Sequence, residues 1–122
     1  MEGMVGQLRS VVLDCPNPRE LASFYEELLG AERLAGEDDT WVVIVAGGTR
    51  IAFQLAPEYE PPSFPDPRGS QQFHLDVLVE DVEEAEPKVL ALGAKLLRRD
   101  NDDTFRVYAD PVGHPFCLVW LT

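Results

Sequence analysis

Apolar positions in this chain alternate first with period two, then with period about 3.6, and the whole succession occurs twice. Near the start, Ser10, Val12 and Asp14 alternate with Arg9, Val11 and Leu13, the pattern of a strand with two unlike faces. Leu21, Phe24, Tyr25, Leu28 and Leu29 then recur at helical spacing. Asn17 is placed to cap that helix, Pro18 suits its first turn, Glu20 stands where a capping box wants a carboxylate, and Gly30 supplies the stop. Strand alternation returns at 50–55, with Ile51, Phe53 and Leu55 against Arg50, Ala52 and Gln54. It returns again at "QQFHLDV", where Phe73, Leu75, Val77 and Val79 oppose Gln72, His74 and Asp76. A second helix is predicted from Asp81 as cap, with Glu84 three residues on, Val82, Ala85, Val89 and Leu92 on one face, and Gly93 as stop. Pro87 inside it lacks an amide donor and is expected to kink the helix or delay its start. The last strand sets Phe116, Leu118 and Trp120 against Pro115, Cys117 and Val119.

The two passes are in register. "DDTW" at 38–41 returns as "DDTF" at 102–105, and "LLGAE" at 28–32 returns as "ALGAK" at 91–95, offsets of 64 and 63. The pattern predicts an α+β fold of two βαβββ modules, about residues 7–56 and 70–121, within a single domain spanning 1–122. Between them "PEYEPPSFPDPRG", residues 57–69, carries five prolines and reads as a stiff, extended connector.

Composition narrows the function. With 22 Asp and Glu against 10 Lys and Arg, the net charge is −12. Such a surface repels phosphate backbones and anionic lipid, so neither nucleic acid nor membrane is an expected partner. No apolar run approaches the roughly 20 residues of a membrane helix. The opening MEGMVGQLRS has no basic segment followed by an apolar one, and Cys15 and Cys117 stand far apart without metal-ribbon spacing. A cytoplasmic protein with reduced thiols is expected.

Strand parity gathers the candidate chemistry. One face of the strands is large and apolar throughout, as packing beneath two helices requires. The other holds Ser10, Asp14, Arg50, Gln54, Gln72, His74, Asp76 and Cys117, with Trp41 and Phe105 at equivalent repeat positions nearby. That mixture fits a curled sheet around a semi-polar cavity better than a solvated face.

The paired modules, with "LDCPNPRELASFYEELLGAE", "RIAFQLAPEYEPP", "QQFHLDVLVEDVEEAE" and "DPVGHPFCLVW", resemble the vicinal oxygen chelate superfamily of glyoxalases, bleomycin resistance proteins and dioxygenases, in particular its small bacterial glyoxalase-like domains. The resemblance covers Leu8 to Trp120. It implies mixed sheets curled around a cavity with helices outside, and modules that pair within one chain or by exchange across a homodimer. In the metal-dependent members, the first and last strands of each module supply the ligands. Carried onto this chain those positions are Ser10, Ala52 (or Gln54), His74 and Cys117, of which only His74 is a usual ligand. No cofactor is therefore expected, and a divalent metal is disfavoured.

The reading that follows is a glyoxalase-like protein binding a small molecule, an isomerase- or lyase-type enzyme for a small carbonyl or aromatic metabolite lacking the usual complete metal site. The resemblance alone would also allow dioxygenase chemistry. His74 and Asp76 are the candidate catalytic pair; Ser10, Trp41, Gln54, Gln72, His74, Phe105 and Cys117 are the candidate ligand contacts. The alternative is a non-catalytic protein that sequesters a drug or metabolite in the manner of bleomycin resistance proteins, which the acidic charge favours. Each residue also has a plainer role: His74 and the glutamines as hydrogen-bonded core polar groups, Asp76 as a strand-end carboxylate paired with Arg50, Cys117 as an inert buried thiol, Trp41 and Phe105 as core aromatics, His114 as turn packing.

Overall fold

The computed structural model describes residues 5–36, 38–63, 73–99 and 104–121, and the chain divides into two compact units, Met1–Glu58 and Tyr59–Thr122. The first contains β1 (Val11–Cys15), α1 (Pro18–Leu29), β2 (Glu32–Arg33), β3 (Trp41–Ala46) and β4 (Thr49–Leu55). The second contains β5 (Leu75–Leu78), α2 (Val82–Ala91), β6 (Lys95–Arg99), β7 (Phe105–Ala109) and β8 (Pro115–Val119). Each unit is a βαβββ module with a four-stranded mixed sheet, ordered β1-β4-β3-β2 in one and β5-β8-β7-β6 in the other. In both, the first strand runs parallel to the last and the remaining pairs are antiparallel. The helix between the first two strands is what permits that parallel pairing, which a short hairpin cannot make.

The predicted helix signals act as expected. The Asn17 side chain accepts a hydrogen bond from the Glu20 amide at 3.3 Å, Pro18 opens α1, and Gly30 ends it in the left-handed region at φ 62°. Asp81 caps α2 by accepting from the Glu83 amide at 2.9 Å. Pro87 does not delay α2, which starts directly after its cap and continues past the proline to Ala91. The proline side chain is exposed, and only one intrahelical donor is forgone.

In the first unit the packed face is apolar. Tyr25 and Phe53 stack with centroids 5.6 Å apart, Phe24 meets Tyr25 edge-on, and Leu21, Ala22, Cys15, Val42 and Ile44 are fully or almost fully buried. In the second unit the expectation of a uniformly apolar face fails. Tyr108 and Phe116 stack on each other with centroids 5.4 Å apart, and Leu118 and Val77 are buried on the same face, but Arg106 shares that face at 5% exposure. Arg106 Nη2 lies 2.5 Å from Glu83 and Nη1 lies 3.2 Å from Glu86, both on α2, while the Tyr108 hydroxyl donates to Glu86 at 2.7 Å. Alternation in "FRVYA" sends Arg106 to the helix side because Phe105, Val107 and Ala109 take the other; the two glutamates three residues apart on α2 then meet it.

The strand predicted around His74 is shorter than its sequence. Gln71 and Gln72 fall outside the described residues, and β5 begins at Leu75, opposite Phe116. Continuing that register sets His74 against Pro115, which has no amide to donate, so the ladder starts one residue later. The Pro-rich connector is described only to residue 63. Its Tyr59 belongs with the second unit, donating a hydrogen bond to the Val112 carbonyl at 2.9 Å. That contact braces the turn before β8, where Asp110 accepts from the amides of Val112 and His114 at 2.9 and 3.0 Å. A side chain at Gly113 would come within 2.7 Å of Pro61. His114 thus serves the turn.

Candidate functional site

The faces turned away from the helices carry the candidate chemistry, as strand parity predicts. In the second unit that face presents His74, Asp76, Leu78, Phe105, Val107, Cys117 and Val119, fixed by the pairs Asp76–Cys117, Val107–Cys117 and Phe105–Val119. Asp76 and Cys117 sit side by side because β5 and β8 are parallel neighbours. His74, two residues before Asp76, projects to the same side.

These three side chains form a cluster. His74 Nε2 lies 3.1 Å from Asp76 Oδ1, and one imidazole nitrogen, one carboxylate oxygen and the Cys117 sulfur all fall within 4.8 Å of one another. His74 and Asp76 are exposed while Cys117 is buried. Burial pushes the Cys117 thiol up to about 11, and the charge and hydrogen-bond acceptance of Asp76 push the same way. At neutral pH Cys117 is therefore a protonated thiol and no nucleophile. The carboxylate holds the imidazole in one orientation, the arrangement by which a histidine is set up as an acid–base group.

The same three groups test the metal expectation. Around a tetrahedral zinc, N, O and S ligands stand roughly 3.3–3.8 Å apart, so the cluster would need to close by about 1 Å. His74, Asp76 and Cys117 could hold such an ion, at the cost of the thiol proton, and a bound ion would supply Lewis-acid polarisation of a substrate oxygen. Asp76 is the donor that the family pattern did not point to; the sheet register reveals it. Register also resolves which residue mirrors Cys117. Asp76 opposite Cys117 repeats Val12 opposite Ala52, so the first-module counterpart is Ala52 rather than Gln54.

In the first unit the open face carries Val12, Asp14, Trp41, Val43, Arg50, Ala52 and Gln54. Ser10 is taken up by Arg50, whose Nε donates to its hydroxyl at 3.2 Å. A cleft of about 290 Å³ opens beside them, lined by Arg9, Leu34, Ala35, Gly36, Trp41, Val43 and Arg50. Parity had assigned Arg9 to the helix side, but β1 begins only at Val11, so strand alternation does not govern it. Of the expected ligand contacts, Ser10, Trp41 and Gln54 thus belong to the first unit's open face, His74, Phe105 and Cys117 to the second's, and Gln72 lies outside the described residues.

Comparison with known proteins agrees with this architecture. The solved glyoxalase/bleomycin resistance protein/dioxygenase family enzyme from Burkholderia phytofirmans PsJN is 17% identical, with 96% of this chain and 100% of that one covered and a TM-score of 0.78. The fosfomycin resistance protein FosX from Listeria monocytogenes is also 17% identical, covering 98% and 96%, with a TM-score of 0.71. A possible glyoxalase from Bacillus cereus is 13% identical, covering 95% and 99%, with a TM-score of 0.70. At such identities these likenesses speak for the fold. Among curated proteins, sequence comparison finds no significant match. The family model described as a glyoxalase-like domain matches residues 10–119, and the chain belongs to that family.

Proposed function

We propose that this protein binds a small carbonyl or aromatic metabolite against the open faces of its sheets and transforms it by isomerase- or lyase-type proton transfer, without a resident metal. His74 is the acid–base group and Asp76 its orienting partner. The observation that carries this reading is the 3.1 Å His74–Asp76 pair on an otherwise apolar open face, beside a thiol that burial keeps protonated. With Nε2–H donated to Asp76, the Nδ1 lone pair is free to take a proton from a substrate carbon or hydroxyl. Cys117, Phe105 and Val107 then bound the apolar side of the ligand.

The second reading, a sequestering protein for a cationic compound, draws its support from the net charge of −12. A thermal-shift screen separates the two. Stabilisation and turnover of methylglyoxal or phenylglyoxal in the presence of chelator, both lost in His74→Ala, support the enzyme. Stabilisation by bleomycin alone, unchanged in His74→Ala, supports sequestration and refutes the enzyme. We also propose a homodimer in a reducing compartment. Exposed apolar residues on the open faces (Val12, Trp41, Leu78) favour pairing, and both cysteines are free and buried. No described helix is long and apolar enough to cross a membrane.

A further inference from the structure

Charge is distributed unevenly over this acidic molecule. Four of the eight arginines answer carboxylates: Arg19 pairs with Asp39, Arg33 with Glu26, Arg99 with Glu83, and Arg106 with Glu83 and Glu86. Arg9 and Arg50 do not. Among the described residues neither has a carboxylate within ion-pair distance, although acidic residues outnumber basic ones by more than two to one. Both line the same cleft, beside the Trp41 ring and Val43, and no described carboxylate lines it with them.

The geometry around Arg50 gives this imbalance a chemical meaning. Its Nε is spent on Ser10, which leaves the four N–H donors of the two Nη groups without a protein acceptor among the described residues. A guanidinium held at Nε and open at both Nη groups presents the planar fork that meets a carboxylate through two parallel hydrogen bonds. Arg9 brings a second positive charge to the same opening. Trp41 supplies an apolar, polarizable wall that is 39% exposed, suited to a flat hydrocarbon or aromatic body. At about 290 Å³ the cleft is near the lower end of the usual small-molecule range, about 300–1,000 Å³.

We propose that the Arg9–Trp41–Arg50 cleft binds the carboxylate end of a small aromatic or apolar organic acid, with Ser10 as the residue that positions Arg50. This rests on the reading of the open faces as ligand-binding surfaces and names the ligand class they take. It also reverses the inference from net charge. The surface field of an acidic protein is screened within about 8 Å at physiological ionic strength, whereas two unanswered arginines act on an anion in direct contact.

Three probes of nearly one shape and different charge test the assignment: benzoate, neutral benzamide and cationic benzamidine, titrated calorimetrically into the intact protein. Benzoate is expected to bind at least tenfold more tightly than the other two and to quench Trp41 fluorescence, a response absent in Trp41→Phe. Arg50→Gln and Arg9→Gln should each weaken benzoate at least tenfold with unchanged denaturant midpoints. Arg50→Lys, which keeps the charge and loses the fork, should also weaken it, covering the case in which Arg50→Gln fails to fold. Ser10→Ala should weaken benzoate about threefold and Ser10→Thr should restore it, which a purely structural serine would not do. Benzamide or benzamidine binding as tightly as benzoate, or benzoate binding that survives both arginine substitutions, overturns the anion site while leaving the broader small-molecule reading in place. Silence from all three probes overturns the anion site as well. Joined to a blank ketoaldehyde and bleomycin screen, that silence removes the broader reading too.

Discussion

The two modules share strand order, register pattern and a capped helix, yet their helices are attached by opposite chemistry. α1 seats Leu21, Ala22, Phe24 and Tyr25 on Phe53, Val42 and Ile44, an interface of close-packed aromatic and aliphatic surface. α2 buries only Val82 and Val89 and is tied down by Arg106, Tyr108, Glu83 and Glu86. The open faces diverge too: arginines with no carboxylate partner among the described residues and a tryptophan in one, histidine, aspartate and thiol in the other. A βαβββ module is defined by backbone pairing and alternation, so either interface chemistry sustains it. What both modules keep is that one face of the sheet packs under a helix and the other does not.

Substitutions that probe this contrast divide by size. Tyr25→Ala empties the centre of the first interface and should cost about 3–5 kcal/mol in urea unfolding. Arg106→Met strands Glu86 beneath α2; because Glu83 stays exposed, the loss should be somewhat smaller, about 2–4 kcal/mol. Adding Glu83→Gln and Glu86→Leu to Arg106→Met should recover most of it, whereas no second polar change should rescue Tyr25→Ala. Recovery in both modules, or in neither, would erase the distinction. Asn17→Ala and Asp81→Ala remove equivalent caps and should each cost about 1 kcal/mol, because here the modules are alike.

The two thiols contrast a packed face with an open one. Cys15 belongs to a packed face, fully buried, its sulfur 3.7 Å from the Gln54 carbonyl oxygen. Cys117 belongs to an open face and is raised to about 11 by burial and by Asp76. Its folded pKa stands above the unfolded thiol value of about 8.5, so the stability it contributes is complete below that pH and is lost as pH rises toward 11. The wild type should therefore lose stability over that window relative to Cys117→Ala, and neither thiol should react with iodoacetamide at pH 7.5. Rapid labelling of Cys117 at that pH would mean an ionised thiol and would reverse the role given to it.

Light scattering checks the proposed homodimer, the smallest effect on the folded unit itself. Twice the chain mass at micromolar concentration is expected, and the single-chain mass contradicts it.

Much of this was legible beforehand because it depends on local, periodic signals. The Asn17 and Gly30 boundaries, the internal repeat and the split of each strand into two faces follow from spacing alone. Arg106 escaped because its burial depends on two glutamates some twenty residues away, and only the strand–helix register shows that they meet it. Asp76 could be placed on the right face but not beside Cys117 until the β5–β8 alignment was known. The shortened β5 turns on a missing amide in Pro115, a partner-strand effect that a reading of His74's own segment does not contain. Arg9 was misassigned because alternation was extended past the end of a strand.

Under the proposed function the open faces, and His74 above all, serve a ligand, while the packed faces serve the fold. Two readouts on one variant, His74→Ala, decide between the two roles: the urea midpoint and the calorimetric response to methylglyoxal. The expected result is a stability within about 0.5 kcal/mol of the wild type, since an exposed side chain outside the core is removed, together with loss of the methylglyoxal response. A loss of about 1–3 kcal/mol from an orphaned polar partner, with the response intact, would show that His74 is structural and contradict the claim.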